Sequence, residues 1–125
     1  MTPLVSSYDA ALFDLDGVIY LGPNAIDGVA RSLAQLRERG IRLGFVTNNA
    51  ARTPVAVAEH LRELGIRADD SDVVNSTQAM VRMLHKELPT GAKLLVVGTD
   101  ALVSQLAEGG FVPVSTLEEN PVAVV

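Results

Sequence analysis

The sequence predicts an α/β domain built on a parallel β-sheet. Three observations carry that prediction. Short apolar runs alternate with segments of helical periodicity along the chain. Gly or Pro punctuates most changes from one period to the other. Hydrophobic residues make up 48% of the 125 residues, enough for a packed core. Strands alternating with helices of this length imply parallel pairing, with helices on the sheet faces.

The first apolar run spans residues 10–13 and continues through Leu15, so it reads as a buried strand ending in the carboxylates Asp14 and Asp16. Val29, Leu33 and Leu36 follow at helical spacing, with Asp27 placed to cap that helix and Gly40 to end it. Residues 41–46 form a second apolar strand, closed by Thr47-Asn48-Asn49. Thr53-Pro54 reads as an N-cap and first helical residue. Val57, Leu61 and Leu64 are the apolar stripe of that helix, and Gly65 ends it. Residues 72–74 suggest a short strand. Asn75 with Gln78 three positions on has the form of a capping box, and Met80, Leu84 and Leu88 line the helix it opens. After the break at Pro89-Thr90-Gly91, residues 94–97 predict a strand. Asp100 is expected to cap a helix running to Glu108, and residues 111–114 another strand. Asn120-Pro121 then turns the chain into the apolar run 122–125. A domain ending inside an apolar strand leaves an edge open to aggregation, so the chain is expected to be the N-terminal part of a longer protein.

Right-handed crossovers place the C-terminal ends of parallel strands on one edge of the sheet, where ligands of such sheets bind. The polar endings Asp14/Asp16 and Thr47-Asn48-Asn49 should therefore converge there.

Composition narrows the chemistry. Ten Lys+Arg against fifteen Asp+Glu give a net charge of −5, which argues against a general nucleic-acid binder. With no Cys and two His, thiol nucleophiles, disulfides and multi-His metal sites are excluded. Three Phe, two Tyr and no Trp offer little for base stacking. Residues 1–9 do not resemble a targeting segment, and no run reaches the ~18 apolar residues of a membrane span. A cytoplasmic location, with no membrane or nucleic-acid partner, is the default expectation. His60 and His85, beside charged residues on predicted helices, are expected to be solvated.

Asp14-Leu15-Asp16-Gly17 holds two carboxylates two residues apart at a strand end, where both can face one pocket. Two such charges together favour a cation between them. Mg²⁺ suits hard oxygen ligands, one or two carboxylates and a substrate phosphate. A carboxylate can also attack phosphorus, and a second can exchange protons. Gly17 permits a sharp turn and close backbone approach. Two solvated acids before a glycine turn explain the tetrapeptide equally well. Thr47-Asn48-Asn49 offers a hydroxyl and amides to phosphate oxygens, and is also what a helix-capping loop with Asx turns looks like.

Phe13-Asp14-Leu15-Asp16-Gly17-Val18-Ile19-Tyr20 and Val46-Thr47-Asn48-Asn49 resemble the first two motifs of the haloacid dehalogenase superfamily of phosphohydrolases. With Gly17-Val18-Ile19-Tyr20 after the acid pair and Thr47-Asn48-Asn49 at the second strand, the sequence resembles one branch, that of the phosphoglycolate, glycerol-3-phosphate, pyridoxal-phosphate and 4-nitrophenyl phosphatases. Arg52-Thr53-Pro54 and the segment 94–102 fit it too, so the resemblance runs from about residue 11 to the end of the chain. It implies a Rossmann-like core, of which residues 1–88 would be the first part, followed at 89–125 by the beginning of an inserted α/β cap. It further implies Asp14 as nucleophile and Asp16 as general acid/base. Asp14 and Asp16 would both be Mg²⁺ ligands, Asp16 through its backbone carbonyl. Thr47 would bind the transferring phosphoryl group, with Asn48, Asn49 and Gly17 beside it. The substrate class would be a small phosphorylated metabolite, such as glycerol-3-phosphate or phosphoglycolate, with the stretch 93–125 leaning to the former. Homodimerisation through the cap of the full-length protein is a further implication.

The same resemblance requires a phosphate-neutralising Lys and further Asp ligands after the cap. Lys86 and Lys93 do not stand where that Lys is expected, and Asp100 reads as a helix cap. The 125-residue chain alone is therefore expected to be inactive. Two other readings are a non-catalytic phospho-acceptor of the receiver type and an interaction fragment without activity. A receiver carries its accepting Asp at the end of the third strand, whereas here Asp72 begins that segment.

Overall fold

The computed structural model describes all 125 residues. Strands and helices alternate as the sequence predicts, and they form two compact units. The first comprises Met1–Thr47 and Pro54–Val74; the second comprises Asn48–Thr53 and Asn75–Val125. No helix is long and apolar enough to cross a membrane.

In the first unit, β1 (Ala10–Phe13), β4 (Arg42–Thr47) and β5 (Val73–Asn75) form one sheet in the order β1-β4-β5. β1 and β4 are parallel, with Ala10 opposite Arg42 and Phe13 opposite Phe45. α1 (Val29–Glu38) is the crossover between them, and α2 (Pro54–Glu63) follows β4. Period-two alternation along β4 sends Leu43, Phe45 and Thr47 to the buried face. There Leu43 and Phe45 join Leu15, Ile19, Leu33, Val57, Leu61 and Val73 in one core. Helices cover only that face: on the other, Leu12, Val46 and Val74 are exposed.

Two short strands went unforeseen. β2 (Tyr20–Leu21) and β3 (Asn24–Ala25) form an antiparallel hairpin directly after the acid pair. The cap of α1 also differs from expectation. Asp27 makes no capping bond; Gly28 takes the cap position in the left-handed region at φ 80°. Glycine adopts that conformation without a Cβ penalty, and the Val29 N–H is satisfied instead by the Ile26 carbonyl at 3.1 Å.

The second unit packs α3 (Ser76–Glu87) and α4 (Asp100–Glu108) against a sheet of order β7-β6-β8. Its strands are β6 (Lys93–Leu95), β7 (Val112–Val114) and β8 (Ala123–Val124), with both neighbours parallel to β6. Pro113, which has no N–H to donate, sits on an edge strand. β6 stops two residues short of the expected run, yet the Val96 and Val97 N–H groups still bond Val114 and Val125 carbonyls. Leu94, Leu102, Leu106 and Phe111 form the core, with Met80, Val81, Leu84 and Leu88 of the α3 segment against them. Packing thus groups α3 with the second unit, where the sequence reading had it with residues 1–88. Asp100 is the first residue of α4 rather than its cap: Thr99 Oγ1 accepts from the Leu102 N–H at 3.4 Å. The Asp100 charge then sits in the first turn, where the helix dipole favours it.

The capping box at α3 is present as read. Asn75 Oδ1 accepts from the Gln78 N–H at 3.0 Å and Gln78 Oε1 from the Asn75 N–H at 3.1 Å. The Asn75 amide also donates to Gln105 Oε1 at 2.7 Å and to the Arg52 carbonyl at 3.1 Å. Asn75→Ala should therefore remove a cap and leave the buried Gln105 oxygen without its donor. The expected loss is about 2–4 kcal/mol of stability, read from urea unfolding.

Candidate active site

Leu15 anchors the site. Its side chain is fully buried, while Asp14 and Asp16 on either side are exposed. Alternation along the extended chain puts both carboxylates on the side opposite the Leu15 side chain. The backbone then leaves the strand direction abruptly. The Leu15 carbonyl accepts from Val18 at 3.1 Å and Ile19 at 2.8 Å, and the Gly17 N–H donates to the Tyr20 carbonyl at 2.8 Å. Gly17 makes this turn possible at φ +80°.

Asp14 Oδ1 accepts from the Leu15 N–H at 2.8 Å, which steadies the carboxylate and leaves Oδ2 as its other acceptor. Neither Asp14 nor Asp16 takes part in an ion pair. No third His, Asp or Glu joins them in a potential metal-binding group. The donor set is thus two exposed, uncompensated carboxylates: hard oxygen donors in the number Mg²⁺ takes from protein. They fit such an ion, with water or substrate oxygens completing the shell.

Thr47 ends β4 two residues past the Phe13–Phe45 pair, so it stands at the same end of the sheet as Asp14 and Asp16. Unlike the acids it is buried, at 4% exposure. Asn48 and Asn49 follow it in the chain and belong to the second unit. The Asn48 carbonyl accepts from Ser76 Oγ at 3.1 Å, and Asn49 Oδ1 from the Ala51 N–H at 2.8 Å. The Asn49 bond is the Asx turn of a capping loop, so this side chain has a local structural role. Both lysines lie in the second unit, where Lys93 Nζ donates to the Glu119 carbonyl at 3.0 Å.

Of the two histidines, His60 departs from the expectation of a solvated ring and His85 does not. The His60 side chain is only 16% exposed and faces Tyr20 and Gly22. His85 Nε2 is 2.7 Å from the Gly109 carbonyl, and its ring lies 4.7 Å from that of Phe111. His60 is not simply solvated, whereas His85 is exposed as expected, with one backbone carbonyl within reach. Their partners are distant in sequence, so the flanking charges gave no sign of them.

A family model described as haloacid dehalogenase-like hydrolase matches residues 11–112. The chain belongs to that family. It is 42% identical over 125 residues to D-glycerol 3-phosphate phosphatase of Mycobacterium tuberculosis. It is 40% identical over 109 residues, 86% of this chain, to glycerol-3-phosphate phosphatase of Gallus gallus. All of this chain aligns with the first, but it spans 35% of the length of each relative. A crystal structure of glycerol phosphate phosphatase from Mycobacterium tuberculosis in complex with magnesium superposes with a TM-score of 0.90 at 42% identity. That match covers 99% of this chain and 37% of the solved one.

The turn that carries this haloacid dehalogenase-like motif has a specific weak point. At Gly17 an added Cβ would meet nothing within 4 Å, so substitution is resisted by the positive φ alone. Gly17→Ala should cost about 1–2 kcal/mol, measured as a shift in urea midpoint. A cost near zero would mean that the backbone can leave the left-handed region there freely.

Proposed function

We propose that this chain carries the nucleophile-bearing part of a Mg²⁺-dependent phosphohydrolase acting on small organic phosphate monoesters. One observation carries the reading: an exposed, unpaired Asp-x-Asp at the C-terminal end of β1, with Thr47 ending the parallel neighbour β4 at the same edge.

In this reading an Asp14 carboxylate oxygen attacks phosphorus in line with the ester oxygen. The ester P–O bond breaks, and Asp16 gives the leaving alkoxide its proton. Water then attacks the aspartyl-phosphate, Asp16 takes the water's proton, and the bond between Asp14 and phosphorus breaks to release phosphate. Asp14 and the backbone carbonyl of Asp16 would hold Mg²⁺, which when bound supplies charge neutralisation for the phosphoryl oxygens. Thr47 would donate its hydroxyl to one phosphoryl oxygen. Gly17 would bring backbone close to the group, with Asn48 and Asn49 beside it.

We take residues 1–88 as part of the hydrolase core and 89–125 as the beginning of an α/β cap, through which the full-length protein would dimerise. Glycerol-3-phosphate is the first substrate to test, since the Mycobacterium tuberculosis and Gallus gallus relatives carry that name. A receiver-like phospho-acceptor finds less support. It would need an acid at the C-terminal end of β5, and Asn75 stands there as a helix cap.

The experiment replaces the matched segment of the Mycobacterium tuberculosis relative with this chain and measures phosphate release from a panel of monoesters. Turnover should require Mg²⁺ and stop with chelator. Asp14→Asn should abolish it, and Asp16→Asn should lower it ~10²–10⁴-fold. The 125-residue chain alone should show no turnover, because neither lysine stands at the position the family motif requires and no third acid joins the pair. Metal-dependent turnover by the short chain, or an active Asp14→Asn chimera, would contradict this assignment.

A further inference from the structure

His60 has no part in the chemistry above, yet it reaches the element nearest to it. Its ring meets Tyr20 edge-on, with centroids 4.9 Å apart and planes at 73°. Its Nε2 is 3.3 Å from the Gly22 carbonyl oxygen. A carbonyl can only accept, so Nε2 carries the hydrogen and donates. Nδ1 stands 3.6 Å from Glu63 Oε2.

The hairpin that His60 touches has little holding it from within. β2 and β3 share two residue pairs, Tyr20 with Ala25 and Leu21 with Asn24. A ladder that short is not stable by itself. Its root is tied to the acid pair: Asp16 and Tyr20 form an isolated bridge, and the Gly17 N–H donates to the Tyr20 carbonyl. Tyr20 is 5% exposed, so its ring is a buried strut. His60 therefore contacts the hairpin twice, by its ring at the root and by Nε2 at the turn.

We infer that His60 is a positioning residue: by holding Tyr20 and the Gly22 carbonyl it sets the backbone course of Asp16 and Gly17. The structural part stands on the contacts alone, and its kinetic consequence rests on the phosphohydrolase reading. α2 thereby controls the aim of the acid pair without touching it.

The test compares wild type, His60→Ala and His60→Gln, whose side-chain amide can offer a donor near the position of Nε2. Amide hydrogen exchange of the 125-residue chain, followed by NMR, reads the anchoring. In His60→Ala the Gly17 and Ile26 amides should exchange about fivefold faster, the loss of one ordinary hydrogen bond. Phe45 in β4 should be unchanged, and His60→Gln should restore most of the protection. Unchanged exchange at Gly17, or equal acceleration at Phe45, would overturn the inference, the latter because it reports only general loosening. In the phosphate-release assay of the chimera, His60→Ala should lower kcat about tenfold with KM unchanged, as misaligned reacting groups do. An unchanged kcat would overturn the kinetic consequence. Failure of the phosphohydrolase reading would show separately, as Asp14→Asn releasing phosphate like the parent chimera, and the exchange result would still decide the anchoring.

Discussion

The parallel pairing of β1 with β4 is the constraint on which the site depends. Its register, Phe13 opposite Phe45, brings the residues after β1 and the last residue of β4 to one end of the sheet. Neighbouring strands lie ~4.8 Å apart, so the backbone that carries the acids and the end of β4 that carries Thr47 become neighbours at one edge. The register is itself held by burial. Leu43 and Phe45 face the core, and a one-residue slip of β4 would turn them outward and Val46 inward. The same hydrophobic force that folds the first unit therefore aligns the candidate site.

Residues at that edge divide the work by burial. Leu15 is the plug that fixes the strand end, and the acids on either side stay in solvent. Exposure leaves both acids open to an ion or a substrate arriving from solvent. Thr47 is neutral and tolerates its buried setting. The turn at Gly17 and the hairpin beyond it carry the chain away from the edge, and His60 ties that hairpin to α2.

Elements defined by local chemistry were legible in the sequence. The Asn75–Gln78 capping box, the strand–helix alternation and the apolar stripe of Val57 and Leu61 all depend on residues a few positions apart. Asp14, Asp16 and Thr47 were legible for the same reason: polar residues that end apolar runs. What escaped depended on partners distant in sequence or on conformations several residue types could adopt. Asp27 and Asp100 are good capping residues, yet a left-handed Gly28 and the preceding Thr99 took those roles. β2 and β3 are too short to show a period. The setting of His60 escaped because its partner Gly22 lies 38 positions away.

In the reading proposed above, the edge formed by β1 and β4 would hold a divalent ion. Mn²⁺ takes the same oxygen ligands as Mg²⁺ and broadens nearby NMR signals, so it reports the place of binding directly. Titrated into the 125-residue chain, it should first erase the amide signals of Asp14, Asp16, Gly17 and Thr47, and Asp14→Asn should weaken that effect. The chain carries a second acidic cluster at Asp69, Asp70 and Asp72, partly paired with Arg37 and Arg62. Broadening centred there, with the β1–β4 edge untouched, would contradict the account.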